Sequence, residues 1–441
     1  MVLTFKRGIH PNEQKGFTDD MPIRTLAAAA RSEMVYPLLQ HLGAPCKPVV
    51  EPGQRVLIGE KIADSEAFVC APIHASVSGT VTAVRPSLTV AGTVVDSIVI
   101  ENDGKLEESV MRPVENWESL SREELLKTIR EAGIVGLGGA GFPTHAKLSP
   151  PPGKKIDTLI VNGCECEPYL TTDNRVMIEE AQRIVEGALV MVKVLGGARA
   201  VIAIEDNKPE AIKAVKKACA GAAGVEVAVV PTKYPQGAER QLITAITKRE
   251  VPSGGLPMDV GCVVNNIDTV IAVQRAFLRG RPLMRKVVTL TGGAIRKPGN
   301  YKIRLGMKVS DIIAMIGGLA SSPTKVVVGG PLMGTAIFDI DVPVVKTTSG
   351  ILFLTEEEAR VPPEESCIRC GQCVEHCPAG LIPCELNADI LRENSEAFVA
   401  HDGLDCIECG SCSYICPAKR RLAESIRTTR RVELAKLKKK Q

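Results

Sequence analysis

The sequence predicts a multidomain α/β chain: a β-rich N-terminal module, an α/β layer, a second small β-rich module and a mainly helical, cysteine-rich C-terminal domain. Three observations carry this. Short β-branched runs between Gly and Pro turns fill residues 1–115 and return at 284–356. Between them, strand-like and helix-like segments alternate, the pattern of a largely parallel sheet covered by helices. Near the end, the phrase C-x2-C-x2-C-x3-C-P is written twice, beginning at Cys367 and at Cys406.

The 441 residues suffice for about three domains at roughly 150 residues each. Hydrophobic residues at 45% and charged residues at 24% are ordinary for a folded chain. Aromatics at 3% argue against a nucleic-acid platform of stacked rings, and a formal net charge of +3 does not call for a polyanionic partner. The start, "MVLTFKRGIHPNEQ", lacks the apolar core of a secretory signal. The most apolar stretch, "ALVMVKVLGGARAVIAI", is interrupted by Lys193 and Arg199, so it reads as a buried helix and a strand rather than a membrane span. The expectation is a soluble or peripheral protein made in the cytoplasm, where 15 cysteines point to metal or redox chemistry rather than disulfides.

Along the chain, "EPGQRVLIGEKIADSEAFVCAPIHASVSGTVTAV" gives the N-terminal module its strands, with "PIHAS", and His74 in it, expected at a turn. Ser121 followed by Glu124 forms a capping box before a helix whose apolar face is Leu125, Leu126 and Ile129, ended by Gly133. The α/β layer then runs through "IDTLIVN" (strand), "RVMIEEAQRIVEGALVMVKVLG" (one long helix) and "RAVIAIE" (strand). It continues with "PEAIKAVKKACAG" (helix), "VEVAVVP" (strand) and "AERQLITAITKR" (helix). The second β-rich module holds one helix, "KVSDIIAMIGG", and "EEEARVPPEES" reads as a linker. From Lys419 to Gln441 there are ten Lys and Arg against two acids, a basic tail suited to anionic lipid or an acidic partner, or simply solvated.

The two phrases place Cys367, Cys370, Cys373 and Cys377 in one set and Cys406, Cys409, Cys412 and Cys416 in the other. Three cysteines at x2 steps curl around one cubane iron–sulfur cluster, and the Cys-Pro carries the fourth sulfur past it. Zinc, which favours two C-x2-C pairs further apart, leaves the third cysteine and the Cys-Pro endings unexplained. Reach therefore predicts crossed ligands, with Cys416 completing the first set and Cys377 the second. Cys46, Cys70, Cys219, Cys262 and Cys384 read as buried small hydrophobes, with Cys384 close enough to be a spare ligand.

"GLGGAGFPTHAK" gathers Gly136, Gly138, Gly139 and Gly141, which let main-chain N–H groups approach a phosphate or a flat ring, beside Phe142 and Lys147. By itself it is neither a dinucleotide fingerprint nor a Walker loop, and a flexible turn explains it equally. "NGCECEPYLTTDNR" puts Glu165, Glu167 and Asp173 after a strand, where α/β sheets bind ligands. Asn265 and Asn266 follow another apolar strand, where amides suit the edge of a heterocycle.

The order "GLGGAGFPTHAK", "NGCECEP", "YPQGAE", "VVNNIDT" and "TLTGGAIRKPGNY" resembles the NADH- and FMN-binding subunit of respiratory complex I. "FKRGIHPNEQKGFT" and the doubled cysteine phrase resemble instead the C subunit of the Rnf electron-transport complexes, over nearly the whole chain. The N-terminal module also resembles the biotinyl/lipoyl sandwich, without its lysine in the turn. These resemblances imply an N-terminal β barrel-sandwich (1–115), an α/β FMN/NADH-binding domain (116–283) and an SLBB-like β-grasp module (284–356). A di-cluster ferredoxin-type domain (357–425) and the basic tail (426–441) complete the chain.

They imply that Gly136, Gly138, Gly139, Gly141, Lys147, Asn162, Asn265 and Asn266 hold FMN. Phe142, Glu167 and Glu239 would face NAD(H) as catalytic groups, with Tyr234 beside both and Glu165 and Gly237 in the same site. Leu137, Cys164 and Ala238 stand where complex I has an arginine and two acids. The implied cofactors are FMN, NAD(H) and two [4Fe–4S] clusters. The implied setting is peripheral, on the cytoplasmic side of the cell membrane, with integral membrane subunits and an iron–sulfur ferredoxin-like subunit as partners. The implied reaction is ferredoxin:NAD oxidoreduction coupled to Na+ or H+ translocation. The alternatives are a soluble flavin/iron–sulfur reductase, such as a cobalamin reductase, and a plain ferredoxin-like relay.

Overall fold

The computed structural model describes residues 3–440, with side chains through Leu437. Met1, Val2 and Gln441, which the expected N-terminal module and basic tail include, lie outside the described residues.

The N-terminal β module is a two-sheet sandwich. Strands Glu33–Pro37, Val94–Asn102, Gly79–Leu88 and Arg55–Val56 form one sheet; Lys47–Pro48, Lys61–Asp64 and Ile73–His74 form the other. Met34, Tyr36, Ile62, Ile98 and Ile100 fill the space between them, as alternation on half-buried strands requires. His74 departs from the expected turn: it pairs with Lys61 inside the second sheet and is buried.

The sequence before the sandwich does not belong to it. Arg24–Thr25 adds a parallel edge strand beside Tyr301 and Lys302 of the second β module. Further upstream, Ile9 pairs with Tyr234, and Lys15 reaches into the α/β layer. This stretch is a strap over the next two domains.

The helix Arg122–Glu131 carries the expected capping box: Ser121 Oγ accepts from the Glu124 N–H, and Glu124 accepts from the Ser121 N–H. Leu125 and Ile129 are fully buried. The α/β layer is a four-stranded parallel sheet in the order Val225–Val230, Arg199–Glu205, Thr158–Gly163, Cys262–Asn266. Helices Pro209–Cys219, Ala181–Val194 and Ile267–Arg279 pack against it. The single long helix expected after residue 174 is two, Thr172–Glu179 and Ala181–Val194. The break falls at Glu180, whose carboxylate is held by Arg183, Arg275 and Lys302 at 2.9, 2.8 and 3.1 Å.

The second β module is a six-stranded sheet that includes the strap strand, crossed by the helix Val309–Met315. The cysteine-rich domain is short helices around two loops, closed by the helix Leu422–Lys440. That helix runs through the boundary drawn at residue 426, because Ile426 is buried in the domain's core. No described helix is long and apolar enough to cross a membrane.

Candidate active site

Two strands of the parallel sheet end side by side, with Asn162 in register with Asn266. The crevice outside such carboxyl ends is where α/β sheets hold ligands. Asn266 caps the helix Ile267–Arg279 by accepting from the Asp268 N–H, and its Nδ2 donates to Asp173 at 2.7 Å. Asn162 Nδ2 donates to the Gly237 carbonyl at 2.8 Å. Asn265 is 3% exposed, and both atoms of its amide are without a partner. A buried, unpartnered amide is costly unless something supplies its hydrogen bonds.

The glycine loop lies against Asn266. It is closed by the Gly136 N–H donating to Phe142 O (2.8 Å) and by the Val135–Pro143 bridge. A Cβ at Gly138 would sit 2.9 Å from Asn266 Cβ, so the loop approaches the strand end only with glycine there. Leu137 is buried rather than presented: its N–H donates to Thr269 Oγ1 (2.9 Å) and its carbonyl accepts from Lys286 Nζ (2.9 Å). Gly139 remains open to solvent, Gly141 is buried and Phe142 half-buried. Lys147 and Glu239 form an ion pair at 2.6 Å across the crevice, with Glu239 at the start of the helix Glu239–Thr247, the favourable end for an anion.

The acids that follow the central strand have separate tasks. Glu165 accepts from the N–H groups of Asp173 and Asn174 (2.6 and 3.1 Å), so it serves the start of the helix Thr172–Glu179. Lys15 Nζ, from the strap, donates to the carbonyls of Glu165, Glu167 and Leu170. Burial, then the neighbouring Glu165, pushes Asp173 up to about 7. Glu167 is also held above the ordinary carboxylate range by burial. Its carboxylate accepts from the N–H groups of Leu332 and Met333 (3.1 and 3.0 Å), in the turn "GGPLMG" of the second β module.

Tyr234 joins this crevice to the cysteine loops. Its hydroxyl lies 3.2 Å from Glu167 Oε1 and donates to the carbonyl of Cys409 at 2.8 Å. Ile9, Tyr234 and Cys409 pack in one apolar cluster with Leu332, Ile407 and Ile415. Gln241 donates to the Pro378 carbonyl (3.2 Å), and the Gly8 N–H to the His376 carbonyl (3.2 Å). The second cysteine phrase and the Cys377–Pro378 end of the first thus face the crevice.

The two cysteine loops share one backbone course: φ is 56° at Arg369 and 57° at Glu408, then 77° at Gly371 and 78° at Gly410. Cys377 lines one concavity together with Cys406, Cys409 and Cys412. The Glu365 N–H donates to Ala418 O (3.0 Å), which seats the start of the first phrase beside the end of the second. Cys373 is buried next to Cys384, and Cys367 and Cys370 are exposed. Arg427, Arg430 and Arg431 of the last helix surround Glu408, between Cys406 and Cys409, at 3.2, 3.0 and 3.5 Å.

Convergent thiols on tightly turning loops suit cubane clusters, and a glycine loop packed on a strand end that carries an orphaned amide suits a flavin phosphate and ring. The groups that sequence reading did not single out are Lys15, Thr269, Lys286 and the Glu408–arginine clasp. Their partners are 18 to 155 residues away, and no local pattern marks them.

Comparison with known proteins follows the same division. Residues 3–105 match the RnfC barrel sandwich hybrid domain, 129–275 the Nuo51 FMN-binding domain, 287–336 the SLBB domain and 366–422 the 4Fe-4S dicluster domain. The chain is 48% identical to the C subunit of the proton-translocating ferredoxin:NAD(+) oxidoreductase complex of Clostridium ljungdahlii, covering 97% of this chain and 93% of the relative. It is 45% identical to the C subunit of the Na(+)-translocating ferredoxin:NAD(+) oxidoreductase complex of Acetobacterium woodii, covering 99% and 98%. Among solved structures, a chain of an NAD+-reducing [NiFe]-hydrogenase shares the fold over 71% of this chain and 61% of its own, with a TM-score of 0.50 and 18% identity.

Proposed function

The chain belongs to the RnfC family, the C subunits of ferredoxin:NAD(+) oxidoreductase complexes, and from that premise we propose a path for electrons through it. It is an oxidoreductase subunit with an FMN-binding domain and a 4Fe-4S dicluster domain, and NAD(H) is its nucleotide substrate. The family names of its relatives favour this reading over a free-standing reductase, and the FMN-binding domain favours it over a plain relay.

FMN, when bound, converts a two-electron hydride into single electrons that [4Fe–4S] clusters carry. Gly136, Gly138, Gly139, Gly141, Lys147, Asn162, Asn265 and Asn266 would hold it. Asn265 offers the unpartnered donor and acceptor, and Lys147 the countercharge to a phosphate. Phe142, Glu167, Glu239 and Tyr234 would line the nucleotide's side. Glu165 and Gly237 act at one remove: Glu165 fixes the helix that carries Asp173, and Gly237 receives the amide of Asn162. Burial keeps water from the Glu167–Tyr234 pair, which stiffens its hydrogen bonds.

The observation that carries the path is the Tyr234 hydroxyl on the Cys409 carbonyl. It makes the site of Cys377, Cys406, Cys409 and Cys412 the inner station. The site of Cys367, Cys370, Cys373 and Cys416 is the outer one, with Cys367 and Cys370 at the surface where a ferredoxin-like partner subunit would meet them. The chain sits peripherally on the cytoplasmic side of the membrane, docked on integral membrane subunits. With no described helix able to cross a membrane, the ion would be moved by those subunits.

The test is anoxic purification from native membranes, with flavin, iron and subunit analysis followed by titration with NADH. Expected are about one FMN and about eight irons per chain, flavin bleaching and then cluster signals in electron paramagnetic resonance. A chain without flavin, or clusters that NADH leaves oxidised, overturns the reading.

A further inference from the structure

The barrel sandwich meets the glycine loop at Leu42, whose N–H donates to the Gly141 carbonyl at 3.2 Å. Directly beside this contact, three side chains that neither the crevice nor the cluster loops use come together. His41 Nε2 lies 3.3 Å from Cys70 Sγ and 4.0 Å from Cys46 Sγ, and the two sulfurs are 3.4 Å apart. His41, Cys46 and Cys70 are 8%, 3% and 0% exposed, and neither cysteine is in a disulfide.

Burial of small hydrophobes accounts for the two cysteines but not for an imidazole set between them. The dimensions say more. Tetrahedral zinc with Zn–S near 2.3 Å and Zn–N near 2.05 Å requires S···S of about 3.8 Å and S···N of about 3.6 Å. The three observed separations differ from these by about 0.3–0.4 Å, within the reach of small side-chain rotations. A cation lies close by: Lys346 Nζ, within electrostatic reach of both sulfurs, donates to the carbonyls of Pro72 (2.6 Å), Gly133 (2.8 Å) and Ala71 (3.5 Å). Cys46, as a thiol, donates to that same Ala71 carbonyl, a bond it would exchange for the metal. His41 Nδ1 is buried without a partner, as is Nδ1 of His145. The His145 Nε2 is fixed 2.8 Å from the carbonyl of Phe68, two residues before Cys70, and the ring is within electrostatic reach of Cys70 and His41.

We propose that His41 Nε2, Cys46 Sγ and Cys70 Sγ are ligands of a structural zinc ion that braces the barrel sandwich where it meets the glycine loop. Binding exchanges the two thiol protons for the metal, leaving a site of two thiolates and neutral imidazole with no net charge.

The experiment uses the full chain, purified anoxically without chelator from zinc-supplemented cells. Elemental analysis should give about one zinc per chain beside the iron. Zinc-edge X-ray absorption, blind to iron, should report two sulfurs near 2.3 Å and one or two nitrogens near 2.0 Å. Cys46→Ser and Cys70→Ser should each lose the zinc while keeping the iron. Should those variants fail to fold, the wild-type chain still decides: Cys46 and Cys70 should resist alkylation until zinc is chelated. A wild-type chain without zinc, a Cys46–Cys70 disulfide, zinc bound by four sulfurs, or zinc retained in a folded Cys46→Ser variant overturns the proposal.

Discussion

Cys377→Ala tests the crossing of the two cysteine phrases and the order of the two stations at once. Cys377 closes the first phrase in sequence, yet it lines the same concavity as Cys406, Cys409 and Cys412. Removing one of four thiolates strips a corner from one cube and leaves the other intact. Iron should therefore fall from about eight per chain to about seven if only the corner iron leaves, or to about four if the whole cluster is lost. The damaged cluster is the one whose Cys409 carbonyl takes the Tyr234 hydroxyl, so the break lies between the crevice and the surface. In the variant, NADH should still bleach the flavin, while the surviving cluster is reduced by dithionite but only slowly by NADH. Cys373→Ala is the counterpart: it should damage the outer cluster and leave NADH reduction of the inner one near wild type. Electron paramagnetic resonance after each reductant reads both variants. If the two variants lose the same signal, each phrase closes on itself and the crossing is wrong. If NADH reduces the surviving cluster of Cys377→Ala at the wild-type rate, the order of stations is wrong.

Three further outcomes follow from the same geometry. Burial and Glu165 raise Asp173 to about 7, so the folded chain keeps a proton that the unfolded chain releases near 4. The resulting contribution to stability is present below pH 4 and lost as pH rises to 7 and beyond, on the order of a few kcal/mol. Asp173→Asn should accordingly gain stability relative to wild type between pH 5 and pH 8 in urea unfolding, and a gap independent of pH counts against it. Glu408→Gln removes the carboxylate that Arg427, Arg430 and Arg431 share, leaving partly buried guanidinium groups facing one another. It should speed iron loss to a chelator several-fold, from the inner cluster first, and equal release from both clusters would argue against the clasp. Glu239→Gln should narrow the preference for NADH over NADPH in kcat/KM, since a carboxylate that receives ribose hydroxyls repels a 2′-phosphate. An unchanged ratio would leave Glu239 only its ion pair with Lys147.

Local rules made much of this molecule legible. The eight cysteines and their spacing stand out because a cube needs thiolates at short, fixed steps, and the loops indeed turn alike at Arg369–Gly371 and Glu408–Gly410. Strand and helix alternation marked the parallel sheet because apolar periodicity is a property of neighbours in sequence. The Ser121–Glu124 box was readable for the same reason. Two local readings failed where distant charges or strands intervened: Glu180 breaks a helix at a cluster of cations, and His74 joins a sheet rather than a turn.

Which distant residues meet was set by packing. The sequence offers two equivalent cysteine phrases and cannot rank them; the second faces the crevice because Tyr234, 175 residues earlier, reaches Cys409. Glycines 136 to 141 read equally well as a turn until Gly138 is seen packed on Asn266 at the end of the central strands. His41, Cys46 and Cys70 have no spacing that announces a metal, and they converge only because the connections between strands of the two sheets meet and bring their sulfurs and imidazole together. Composition and period act over a turn of helix or a pair of strands. Encounters across 24 to 175 residues depend on how whole layers pack, which no short window of sequence contains.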